Sequence, residues 1–262
     1  MGLLTSLFLG LVQGLTEYMP VSSSGHLALA QLLIPGFSQP GLVFDLALHG
    51  GTLFSVLALE WERIKEAFKQ GYALRLALLL GVGTGATAAV AFPLRDLAEG
   101  AFSQPGWLGC GFLVTAILLL SSDRLSPRGQ GLPSLPQAVI IGLVQGIAVF
   151  PGLSRSGSTV VAGLWSGVNR RWAADFSFLL SVPAIGGALV VEVLRQKESL
   201  STQPGSFWIA LGLAASTAAV SGFFALVLVR RLVLRGKLGA FSWYLVPLGF
   251  LLLAGAALGW WS

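Results

Sequence analysis

Charge is what this 262-residue chain has least of: only 10% of its residues are Asp, Glu, Lys or Arg. A soluble domain carries about a quarter, so a soluble globular fold is excluded. A hydrophobic content of 55% and a mean hydropathy of +0.80 point instead to an integral membrane protein. Cysteine is nearly missing too. Cys110 stands alone, which excludes an internal disulfide and argues against a cysteine-ligated metal cluster; inside an apolar run it is expected to be a small packing residue. Strict apolar–polar alternation is lacking. The long runs are continuous, so helices rather than a closed barrel must satisfy the backbone in lipid. No basic stretch precedes the first apolar run and no clear cleavage site follows it, so the N-terminus reads as mature protein. The net charge of +5 and pI near 9.9 could suggest nucleic acid. The basic residues, however, lie scattered at the ends of apolar runs, as membrane-orientation signals do.

Apolar segments fall at about 2–19, 24–34, 42–60, 73–93, 106–121, 136–150, 156–168, 174–194, 206–229 and 241–261. A span needs roughly 20 helical residues, and 24–34 and 156–168 are too short. Each follows a proline and a Ser/Gly cluster that ends one helix and caps the next. Residues 2–34 and 136–168 therefore read as re-entrant hairpins, and the remaining six segments as full spans. The expected fold is an all-α polytopic membrane protein.

The two halves, 1–122 and 123–262, align at an offset of 132. "GLVQG" at 10–14 recurs at 142–146. Ser22, Ser24 and Gly25 fall on Ser154, Ser156 and Gly157, Phe44 on Phe176, and Glu60 on Glu192. Chance matching in a Gly-, Leu- and Val-rich chain is the competing reading, but an intact pentapeptide with matched breaks favours duplication. Three full spans per half turn the second copy upside down, an inverted repeat. Charge orients it. Arg63, Lys65, Lys69, Arg75, Arg124, Arg128, Arg155, Arg170, Arg171, Arg230, Arg231, Arg235 and Lys237 fall on one side; Arg95, Arg195 and Lys197 fall on the other. The positive-inside rule then faces both termini outward, with the first hairpin entering from the outer side.

Ionisable groups within membrane segments mark functional sites by default. Gln13 and Glu17, four apart, share a helix face, although a carboxylate near a helix end can simply be solvated. The helix beginning near Ser22 offers free backbone N–H groups and the hydroxyls of Ser22, Ser23 and Ser24, and helix N-termini favour anions. The same serines can be mere caps. His26 lies one turn after Ser23 on the same face. The second hairpin, "PGLSRSGST", adds Arg155, whose planar fork matches phosphate oxygens; the plainer reading makes it one more cytoplasmic charge. An inverted repeat would bring both turns to one cavity, and a carboxylate, a histidine, hydroxyls, two helix N-termini and an arginine suit phosphoryl chemistry.

The stretches "GLVQGLTEYMPVSSSGH" and "PGLSRSGST" resemble the two signature regions of the undecaprenyl-diphosphate phosphatase family, the bacitracin-resistance membrane phosphatases. The resemblance extends to "FDLALHGGTLFSVLALEW" at 44–61 and "FSFLLSVPAIGG" at 176–187. It implies hydrolysis of a C55 isoprenyl diphosphate to the monophosphate at the outer face of the bacterial inner membrane. That step recycles the carrier lipid for peptidoglycan and confers bacitracin resistance. By position, Glu17, Ser23, His26 and Arg155 match the family's active-site residues. Ser23 is then the candidate nucleophile, Glu17 or His26 takes its proton, and Arg155 clamps the diphosphate, with histidine left open as an alternative acceptor of the phosphoryl group. Gln13, Ser22, Ser24, His49, Gln145, Ser154, Ser156 and Thr159 are expected to line the substrate. The resemblance also implies Mg²⁺ or Ca²⁺ bridging the diphosphate and Glu17. One departure weakens that metal: the family commonly has Glu where this chain has Gln13.

Expected partners are the polyprenyl diphosphate substrate, membrane lipids and a second copy of the chain, not nucleic acid. The alternative function is a transporter or flippase of a polyprenyl phosphate or another anion, since inverted repeats are common in carriers. Against it, Glu17 and His26 sit in one copy and Val149 and Arg155 in the other, a lopsided site for a carrier. An ion channel lacks a spanning helix with a polar stripe throughout.

Overall fold

Helix α1, Leu3–Tyr18, stops where Met19-Pro20 stops it: the residue before a proline is driven to extended backbone, and Met19 has φ −62° and ψ 140°. Two turn residues later Ser22 starts helix α2, Ser23–Leu33. The second copy repeats the plan. Helix α6, Leu135–Ile147, opens on Ser134, whose N–H donates to Gln137 Oε1 at 2.7 Å, and helix α7, Arg155–Trp165, follows the turn at Pro151-Gly152. At about 1.5 Å per residue none of these four helices reaches the ~30 Å of a hydrocarbon core.

In this computed structural model, which describes residues 2–33, 42–102, 104–125, 127, 129–195 and 203–260, everything else of length is also helix, and no strand occurs among the described residues. The long helices are α3 (Leu42–Lys69), α4 (Ala73–Phe102), α5 (Pro105–Asp123), α8 (Arg170–Arg195) and α9 (Gly205–Arg235). A 3₁₀ turn at Leu238–Phe241 leads into α10 (Ser242–Ala257). Helices α4, α5, α8, α9 and the 3₁₀ turn with α10 are long and apolar enough to cross a membrane. Helix α3, at 28 residues, has the length. The protein is an all-α polytopic membrane protein. Several helices outrun the apolar segments that foretold them: 42–60 becomes Leu42–Lys69, 73–93 becomes Ala73–Phe102, and 206–229 becomes Gly205–Arg235. Hydropathy marks the hydrocarbon layer, whereas the hydrogen-bond ladder runs on into the polar flanks.

The "GLVQG" copies are crossing surfaces. Helix α1 lies on α9, with Gly10 against the Ala214 carbonyl and Gly14 against Ala218 and Ser221. Helix α6 lies on α4, with Gly142 against the Gly83 carbonyl and Gly146 against Thr87 and Val90. A methyl group at Gly10 or Gly142 would run into the facing carbonyl oxygen, so only glycine allows this approach. Around these crossings Tyr18, Phe112, Phe176 and Phe178 form the buried aromatic centre.

Most of the basic residues gather at one end. Arg170 donates to the carbonyls of Leu125 at 2.6 Å and Val233 at 3.2 Å, and Arg63 and Arg230 both pair with buried Asp175, at 2.9 and 2.8 Å. These bonds tie the ends of α3, α5 and α9 to the start of α8. Arg95 and Arg195 line one cleft between the far ends of α4 and α8. Of the residues named from the sequence, Ile34, Arg128, Lys197, Trp261 and the side chain of Glu192 lie outside the described residues. Glu60, the repeat partner of Glu192, is buried 3.5 Å from Arg230.

Candidate active site

The centre of the site is the Glu17 carboxylate, 3% exposed and at the last turn of α1. Such a group must be paired or hydrogen-bonded to stay charged, and four side chains surround it. Gln13 Nε2, one turn back on α1, donates to Oε2 at 2.8 Å. Ser23 Oγ, the first residue of α2, donates to the same oxygen at 2.6 Å. His49 Nε2, from α3, stands 3.4 Å from it. Arg155, the first residue of α7, pairs through Nη2 with Oε1. Both hairpins and α3 thus converge on one carboxylate.

The two hairpin turns present the same caps to this point. Ser22 Oγ accepts the Gly25 N–H at 3.4 Å and Ser154 Oγ accepts the Gly157 N–H at 3.1 Å. The next hydroxyls stand close in both, Ser22 to Ser24 at 3.3 Å and Ser154 to Ser156 at 3.2 Å. The turns interlock as well: Ser156 Oγ donates to the Met19 carbonyl at 3.2 Å, and Gly157 packs on Pro20 while Gly25 packs on Phe112 and Gly152. Ser23 and Arg155 are partly exposed, whereas Ser22, Ser154, Ser156 and Thr159 are buried. The site therefore opens at Ser23 and Arg155.

Arg155 is held as a partly used donor. Its guanidinium carbon lies 5.7 Å from the centre of the Tyr18 ring, and Tyr18 is itself anchored by its hydroxyl to the Thr52 carbonyl at 3.2 Å. Nη2 is engaged by Glu17, but Nη1 is buried with no hydrogen-bond partner among the described residues. An anionic oxygen at the site would supply that partner. The first-turn amides of α2 and α7 add dipoles of the right sign.

Other expected residues separate from this centre. His26 does not meet Ser23 or Glu17 through either ring nitrogen: Nδ1 is 2.8 Å from the Ser22 carbonyl and Nε2 is 2.8 Å from the Tyr244 hydroxyl of α10. Sharing a helix face with Ser23 leaves the ring free to turn, and a buried carbonyl captures it. Gln145 faces α4, where its amide donates to Thr87 Oγ1 at 2.9 Å. Thr159 bonds the Arg155 carbonyl at 2.9 Å and the Ser177 hydroxyl, so it braces α7 against α8. Sequence reasoning missed Tyr18, Thr52, Ser177 and Tyr244. Only Tyr18 carried a signal, as the neighbour of Glu17 inside the signature, and His49, expected to line the substrate, stands directly beside Glu17.

A divalent cation finds no ready seat. Among the described residues no three His, Cys, Asp or Glu side chains cluster closely enough to hold one. Glu17 already takes hydrogen bonds from Gln13, Ser23 and Arg155. Beside Glu17, among the described residues, Gln13 Oε1 is a buried acceptor left without a partner, and the other end of that amide points at Glu17. A single amide oxygen is a poor site for Mg²⁺ or Ca²⁺, which prefer several oxygens with carboxylates among them.

Helices that break near one another, a buried carboxylate, an aligned serine and an arginine with a spare donor define a helical membrane protein arranged around an anionic, phosphate-like ligand. The chain belongs to the bacitracin resistance protein BacA family, whose model matches residues 6–251. It is 38% identical over 256 residues to an undecaprenyl-diphosphatase of Carboxydothermus hydrogenoformans, covering 97% of both chains. It is 40% identical over 256 residues to one of Syntrophotalea carbinolica, covering 93% of this chain and 95% of the relative. It is 41% identical over 263 residues to one of Desulfosudis oleivorans, covering 92% and 94%.

Proposed function

We infer that this chain is an undecaprenyl-diphosphate phosphatase, releasing phosphate from the C55 isoprenyl diphosphate and leaving the monophosphate carrier. The observation that carries the chemistry is the alignment Ser23 Oγ–Glu17–Arg155 across the two hairpins. The terminal phosphate binds Arg155 Nη1 and the first-turn amides of α2 and α7. Its oxygens compete with Glu17 for the guanidinium, which frees the carboxylate to act as base. Ser23 Oγ attacks the terminal phosphorus as its proton passes to Glu17. The bond from that phosphorus to the bridging oxygen breaks, and isoprenyl phosphate departs. Water then hydrolyses the phosphoserine, returning Ser23 and releasing inorganic phosphate. With His26 engaged by Ser22 and Tyr244, serine rather than histidine takes the phosphoryl group. Mg²⁺ or Ca²⁺ enters only as a counter-ion that the diphosphate carries with it.

The pseudo-symmetric crossings at Gly10/Gly14 and Gly142/Gly146 and the matched serine caps support an inverted repeat of residues 1–122 and 123–262, with the short helices as re-entrant hairpins. The gathering of basic side chains around Arg63, Arg170 and Arg230 supports a cytoplasmic end there. Both termini and the site then face outward in a bacterial inner membrane, where the released monophosphate returns to peptidoglycan synthesis and bacitracin resistance follows. A reporter fused after Ser262 should report the outer side; a cytoplasmic signal would overturn the layout. Function is tested by phosphate release from a long-chain isoprenyl diphosphate in detergent, with the lipid product identified by mass. Uptake into liposomes without phosphate release would favour a transporter.

A further inference from the structure

We propose that Tyr244 is a positioning residue for Ser23, acting through His26, which locks the left-handed turn at Ser22. This rests on the phosphatase reading of the site. Ser22 has φ +68°, the only non-glycine residue with positive φ among the described residues. That conformation is costly for an L-residue and persists only where its surroundings enforce it. The enforcing group is visible. The Ser22 carbonyl accepts from both the backbone N–H of His26, at 3.2 Å, and the ring Nδ1 of His26, at 2.8 Å.

A carbonyl can only accept, so Nδ1 carries the proton. In the neutral ring Nε2 is then the bare nitrogen, and it takes the Tyr244 hydroxyl proton at 2.8 Å. Tyr244 also lies nearly parallel to the imidazole, with ring centres 5.6 Å apart, and Phe112 closes another side at 5.4 Å. Helix α10 is a firm base for this contact: Ser242 Oγ donates to the Ala116 carbonyl at 2.9 Å, and Gly249 meets Gly109 on α5. The chain of contacts thus runs from α5 and α10 through Tyr244 and His26 to Ser22. The next residue is Ser23, aimed at Glu17.

The second hairpin serves as an internal control. The counterpart of Ser22 is Ser154, at φ −75°, and the left-handed residue there is Gly152, which needs no enforcement. The counterpart of His26 is Ser158. It makes the backbone bond to Ser154 at 2.9 Å, and its buried hydroxyl has no partner among the described residues. The copy with a strained serine has the histidine clamp; the copy without strain has neither histidine nor tyrosine in this role.

The test separates the two nitrogens of His26. An asparagine amide occupies the place of Nδ1 and a glutamine amide that of Nε2. Purified full-length variants are compared in one detergent after thermal unfolding has verified the fold. His26→Asn should keep kcat within about tenfold of wild type, while His26→Gln should lose about 100-fold, the cost of a reacting group displaced by roughly 1 Å. Tyr244→Phe should lower kcat about tenfold with KM within about twofold. Nitrogen-15 spectra of the protein, in which the two histidines are told apart with a His49→Asn variant, should show His26 protonated at Nδ1. In Tyr244→Phe the two tautomers should mix. Equal inactivity of the Asn and Gln variants would overturn the proposal, because the ring would then be working as an acid or base. So would an Nε2–H tautomer in the wild type. If wild type releases no phosphate, the phosphatase reading falls, and the nitrogen spectra still decide the clamp.

Discussion

Ser22 and Ser154 solve one problem with the same atoms: each hydroxyl caps a short helix that restarts after a proline-broken turn. The residues around them do not repeat. Ser23 faces Arg155, Glu17 faces Val149, and His26 faces Ser158 at the 132-residue offset. What recurs is the scaffold: glycine crossings, breaks and caps. What differs is the chemistry, with the proposed nucleophile and base in one hairpin and the proposed phosphate-binding cation in the other. A symmetric pair would place two arginines or two carboxylates together, and like charges at that depth are costly. The divergence instead yields a neutralised Glu17–Arg155 pair that an anionic substrate can open.

The largest break in the comparison is Ser23→Ala, which should cut phosphate release by about 10³-fold or more while leaving lipid binding intact. Equilibrium binding of a labelled isoprenyl diphosphate, beside turnover, checks both halves of that statement. Arg155→Lys keeps the charge but loses the fork, and should lower kcat by about 100-fold; the lysine variant is preferred to alanine, which leaves Glu17 buried without its counter-charge. Gln13→Glu sharpens the contrast between the "GLVQG" copies. A second carboxylate beside Glu17 should make activity rise more steeply with added Mg²⁺ than in wild type, whereas Gln145→Glu should leave that titration unchanged. The smallest effect is expected at Ser154→Ala. Loss of a cap should cost about 1 kcal/mol in unfolding with kcat within about threefold.

Local features were legible in the sequence because local chemistry decides them. Pro20 and Pro151 end helices and serines restart them, both from residue type and spacing, whereas the "GLVQG" glycines were legible as a recurring motif and only the fold shows them as close crossings. The meeting of Glu17 with Arg155 was legible through the expected repeat, which predicts that two distant turns share a cavity, and through the family resemblance. The engagement of His26 was not. Its partner, Tyr244, lies 218 residues away on the last helix, and a helix face tells where a side chain starts but not which carbonyl captures it. The true ends of α3, α4 and α9 escaped for another reason: apolar runs report on lipid, while helices continue into polar flanks.

The central claim is that one active site is assembled from two unequal hairpins. Its most direct test measures phosphate release from the isoprenyl diphosphate for Ser23→Ala, Arg155→Lys and the double variant. Residues acting as a unit are not additive, so the double variant should be no slower than the slower single. Losses that multiply, or a single variant at the wild-type rate, would contradict a shared site.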